Sequence, residues 1–116
     1  MNIYDKAHEF AKELENCPEV ISLREASKGI EEDYNNKKML DDFRKLQIEA
    51  YSQQMQNGKV SDEITGKLKN LGPIISSNPS VSNYIQAEQR FSIVWNDVLK
   101  ILNDAIGIDF TFGMNK

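Results

Sequence analysis

The chain has 116 residues, 40% of them hydrophobic and 28% charged, and a formal net charge of -4. A length of this order implies one domain, here residues 1-116, burying about two thirds of the surface its unfolded form exposes, and this hydrophobic content excludes the disordered class. The acidic balance disfavours direct binding to nucleic-acid phosphates or anionic membranes; a single cysteine excludes an internal disulfide or a multi-cysteine metal site built from one chain, as suits a reducing cytoplasm.

The opening segment "MNIYDKAHEF" carries an aspartate, a histidine and a glutamate where a signal peptide needs an apolar run. No stretch approaches the ~20 apolar residues of a membrane span. The expected location is the cytoplasm, without membrane attachment. In "NIYDKAHEFAKEL" the apolar set Ile3, Ala7, Phe10 and Leu14 is spaced by four, three and four, one face of a helix. It should stop near "NCPE", where Pro18 suits the first turn of a second helix. Val20, Leu23, Ser27, Ile30 and Tyr34 continue the period, with Glu19 where the helix dipole favours a negative charge.

The acids and asparagines of "EEDYNNKKML" read as turn and cap residues before a third stripe: Met39, Leu40, Phe43, Leu46, Gln47, Ala50 and Tyr51. Asn57-Gly58 should end that helix in a left-handed cap, and Ser61 with Asp62 and Glu63 should start the next. Ile64, Leu68, Leu71 and Ile75 keep one phase through Gly72-Pro73, so a kink or brief interruption is expected with the apolar face preserved. Asn78-Pro79 closes that element.

The last helix lies on heptads from Val81 to about Ile106. One seam holds Val81, Glu88, Trp95 and Leu102, and its neighbour holds Tyr84, Phe91, Val98 and Ala105, flanked by Ile85, Leu99 and Ile106. Such a helix is about 40 Å long, whereas a compact globule of this chain length is about 35 Å across. The helix should overhang its own body. A second subunit is the economical cover, so a homodimer or a hetero-oligomer with related subunits is expected. Its interface would be drawn from Val81, Tyr84, Ile85, Glu88, Phe91, Trp95, Val98, Leu99 and Leu102. The remaining residues, 108-116, alternate Ile108, Phe110 and Phe112 with polar positions, the pattern of an extended tail.

No catalytic or metal-binding constellation is legible. Glu88 falls on the apolar seam and needs a partner, for which Arg44, Arg90 or a lysine of a facing helix is available. Its alternative role, general acid or metal ligand, would require a second group such as His8 beside it. His8 is the sole histidine, with neither a nucleophile nor an orienting group near it in sequence. Cys17 precedes a helix start, where the dipole can depress a thiol pKa, yet it reads more simply as a cap-position residue. Lysines 37, 38, 67 and 69 are interleaved with acids and lack aromatic stacking platforms for RNA. No catalytic residue, metal ligand or cofactor is assigned.

The pieces "DDFRKLQ" (41-47), the "NG" loop (57-58) and "NPSVSNYIQAEQRF" (78-91) resemble the bacterial YlbF/YmcA/YheA family of small helical proteins, over nearly the whole chain. The resemblance implies an all-α, dimer-forming fold and, for some members, non-enzymatic subunits of a complex governing RNA processing, competence, sporulation and biofilm formation. Members of that complex are associated with iron-sulfur clusters held by cysteines. The segment "GIDFTFGMNK" has no cysteine, which is similar to the cysteine-poor YheA-like branch. The expected fold is an elongated antiparallel bundle of about five helices with a long C-terminal one. The expected function is that of a helical adaptor that regulates through a protein partner. The alternatives are a direct RNA-binding module and a structural dimer without a regulatory role.

Overall fold

The computed structural model describes residues 2-108 as five α-helices: α1 (Ile3–Glu15), α2 (Pro18–Glu31), α3 (Tyr34–Asn57), α4 (Asp62–Ser76) and α5 (Pro79–Ile106). No strand occurs among the described residues. Short-range chemistry sets most of the boundaries. The side chains of Asn2, Asp33, Ser61 and Asn78 each accept from a backbone N–H in the first turn that follows, so four of the five helices start on a side-chain cap. Pro18 and Pro79 stand at first-turn positions, where a missing N–H costs nothing. Gly58 and Gly107 end α3 and α5 with φ of 76° and 79°, a left-handed conformation that a side chain would strain.

One expectation is corrected, and at Pro73 one of two expected alternatives, the interruption, does not occur. Tyr34 does not extend the stripe of α2: Glu32 closes that helix, and Asp33 caps α3 so that Tyr34 is its first residue, on the surface. Pro73 does not interrupt α4, which runs unbroken from Asp62 to Ser76. Proline removes one backbone donor there, and Ser77 tightens the helix end by donating both its N–H and its hydroxyl to the Pro73 carbonyl.

α2 and α5 form the most extensive helix pair, and α3 packs on α4 and α2. The core is small: Ile30, Leu40, Ile75 and Val81 cluster together, supported by Met39, Phe43, Leu71, Tyr84 and Ile85. Val81 is fully enclosed, at 0% exposure. Gly29 of α2 lies against Ser80 of α5, so the end of α2 meets the beginning of α5. With no α5 residues before Pro79 to run along, α2 must run antiparallel to it.

A buried polar knot ties the helix ends at this point. Asn36 donates through Nδ2 to the Gly29 carbonyl at 3.2 Å and accepts from Asn78 Nδ2 at 2.7 Å, while Asn78 Oδ1 accepts from the Val81 N–H at 3.1 Å. Asn36 is thus the buried polar residue that joins the last turn of α2 to the caps of α3 and α5.

The whole is a thin, long slab. Its extents are 53 × 37 × 17 Å and its radius of gyration is 17.8 Å, against about 13 Å for a compact chain of comparable length.

Removing the Asn36 amide leaves the Gly29 carbonyl without its side-chain donor, so Asn36→Ala should lower unfolding free energy by about 1–3 kcal/mol in a denaturant titration. A β-carbon at Gly29 would meet Ser80 only at 3.6 Å, ordinary contact, so Gly29→Ala should raise stability by up to ~1 kcal/mol through helix propensity. A destabilised Gly29→Ala variant would mean that α2 and α5 approach more closely than this packing allows.

Candidate functional site

The distinctive surface of this molecule is apolar, and its position follows from helix lengths. α2 has 14 residues and α5 has 28, spanning about 21 and 42 Å respectively. Pro18 lies eleven residues before Gly29, so an antiparallel α2 anchored at Ser80 reaches α5 only as far as about Phe91. Burial follows this limit. Val81 and Ala87 are buried and Tyr84, Ile85 and Phe91 half-buried, but Trp95 is 41% exposed and Leu102 52%. Ile93, Ile101, Ile106 and Ile108 are also open to solvent. Val98 and Leu99 are partly covered. Phe91 and Trp95 stack with ring centroids 6.0 Å apart, which holds the indole at the border of the covered region.

The interface residues expected from the sequence therefore divide in two. Val81, Tyr84, Ile85, Glu88 and Phe91 lie alongside the chain's own helices, with Val81 wholly consumed by the core. Trp95, Val98, Leu99 and Leu102 lie beyond the end of α2. Residues 109-116 of the expected tail, with Phe110 and Phe112, lie outside the described residues.

A second open face was not evident from periodicity. α1 contains no buried residue, and Ile3, Tyr4 and Phe10 are exposed. Its stripe marks a helix side that needs cover, but pattern alone does not reveal whether the chain supplies it. Among the described elements α1 packs only against α2. A third patch, Ile48, Tyr51 and Met55, lies on one side of the second half of α3.

Glu88 finds its partner in Arg44, one of the three candidates read from the sequence. The pair is not buried: the two side chains retain 40% and 41% of their accessibility. Arg44 also donates to the Tyr84 hydroxyl at 3.4 Å and lies over its ring, 5.6 Å from the centroid. Arg44 therefore bridges α3 to α5, and Glu88 is occupied as its counter-ion. His8 is exposed on α1, which does not pack on α5, so the structure does not bring His8 and Glu88 together.

Between α3, α4 and α5 lies an open groove of about 310 Å³, with Phe43, Ile75 and Ile85 among its apolar lining and Ser76, Gln86 and Gln89 among its polar groups. Cys17 is half-buried at the N-cap of α2, without a side-chain cap bond. An iron–sulfur cluster of the usual kind needs about four thiolates, and this chain contributes one; its residues do not fit such a cluster. No described helix is long and apolar enough to cross a membrane.

Comparison with known proteins shows the family. The family model described as "Control of competence regulator ComK, YlbF/YmcA" matches residues 3–107. A UPF0342 protein of Clostridium tetani is 52% identical over 116 residues, covering 100% of both chains. Another from Clostridium novyi is 50% identical, covering 95% of this chain and 96% of its own length. The solved structure of a protein of unknown function (DUF964) from Bacillus stearothermophilus superposes with a TM-score of 0.70 over 90% of this chain and 92% of that one. At 15% identity that likeness shows the fold alone. The chain belongs to the YlbF/YmcA family.

Proposed function

We propose that this protein is a non-enzymatic helical interaction subunit, which pairs with a second copy or a related chain through α5 and regulates by engaging a further protein. The observation that carries the proposal is the exposure of Trp95, Ile101, Leu102 and Ile106 along the half of α5 that outruns α2. Contiguous apolar surface on a small acidic protein is costly in water and marks a contact site. Large residues such as Trp95 and Leu102 are suited to anchor it. The family's description as a control on a competence regulator supports a regulatory role exercised through protein contacts. The groove lined by Phe43, Ile75 and Ile85 is the seat offered to apolar side chains of the regulated partner.

The pairing of Glu88 with Arg44 supports the non-enzymatic reading, because the one acid on the seam serves as a bridge between helices. A partly exposed pair of this kind contributes little net stability. A double-mutant cycle with Arg44→Ala and Glu88→Ala should return a coupling below about 1 kcal/mol. A coupling of ~3 kcal/mol or more would show a desolvated pair with a larger role than bridging.

Tagged protein expressed in its native cell should retain a defined protein partner, and Leu102→Asp should release its paired copy while leaving helix content by circular dichroism unchanged. Trp95→Ala should cost a dissociated chain less than the ~3–5 kcal/mol of a fully buried aromatic. Recovery of the tagged protein with no partner above background would contradict the adaptor role.

A further inference from the structure

Among the described residues, α1 and the outer half of α5 are two apolar faces left largely open, and their dimensions correspond. α1 has 13 residues, about 20 Å. The part of α5 beyond the reach of α2, residues 92-106, is also about 20 Å long. Each bears a stripe of helical spacing: Ile3, Ala7, Phe10 and Leu14 on α1, and Trp95, Val98, Leu102 and Ile106 on α5. α1 ends where the open half of α5 begins, because the start of α2, to which the end of α1 is attached, lies near Phe91.

Across this joint α1 does not pack on its own α5. Only Asn16 and Cys17 separate α1 from α2, and both are pinned. The Asn16 side chain donates to the Lys12 carbonyl at 2.8 Å, the Cys17 N–H to the Leu14 carbonyl at 3.2 Å, and the Ile21 N–H to the Cys17 carbonyl at 3.1 Å. Pro18 then fixes the first turn of α2. Among the described elements α1 packs only against α2.

We infer that two copies exchange their first helices, α1 of each lying along residues 92-106 of the other's α5. This inference rests on the pairing proposed above and specifies what covers the surface. A two-fold axis makes the contact occur twice, so both open faces of both chains are buried and no open-ended filament forms. A second copy is the fitting occupant because it brings a stripe of matching length and chemistry.

The test uses full-length chains with Cys17→Ser, one carrying Phe10→Cys and the other Leu102→Cys, told apart by the masses of their substitutions, co-expressed and treated with a short bismaleimide. The expected result is a covalent dimer of mixed mass, at least tenfold above the yield from either chain alone. Phe10→Asp should raise the dimer dissociation constant at least tenfold with helix content unchanged. If the protein sediments as a dimer but Leu102→Cys links only to itself, or if a chain with both cysteines links only within itself, pairing stands and exchange is overturned. A monomer that forms no mixed product overturns both.

Discussion

The packing of α2 on α5 is the constraint on which the rest of this structure depends. It supplies much of the core, brings Gly29 against Ser80, and places the beginning of one helix at the end of the other. Because α2 is half as long as α5, the same contact that stabilises the inner half of α5 defines where its outer half is left open. The thin, extended shape of the molecule is this length mismatch expressed in three dimensions.

The polar knot around Asn36 and the Arg44–Glu88 bridge act on that frame in different ways. Asn36 is buried and joins three helix ends with directional bonds, so it specifies how α2, α3 and α5 meet. Arg44 and Glu88 remain about 40% exposed, where an ion pair adds little energy, and Arg44 also lies over the Tyr84 ring. The first is a determinant of geometry, and the second fastens the middle of α3 to α5.

Much of this was legible in the sequence because helix ends are written in local chemistry. Pro18, the Asn57-Gly58 pair, Ser61 with its acids, and Asn78-Pro79 act within a turn of where they stand, and each marks a boundary in the structure. Tyr34 was misplaced because it keeps the period of α2 by coincidence, while the Asp33 cap that separates it is one residue in a run of similar polar residues. Asn36 belongs to that same run, and nothing local distinguishes a buried asparagine from a solvated one. The exposure of α1 was hidden for a related reason: periodicity shows that a face is apolar, and only the tertiary arrangement shows whether anything covers it. The membership of the YlbF/YmcA family, read from the loop and helix-start motifs, extends across the described helices.

An apolar helix that outgrows its own body is the central claim, and mass in solution tests it most directly. Sedimentation equilibrium of the unmodified protein at micromolar concentration should return at least twice the mass of one chain, falling towards the single-chain mass only on strong dilution. A single-chain mass maintained through the micromolar range, with helix content intact, would contradict the account.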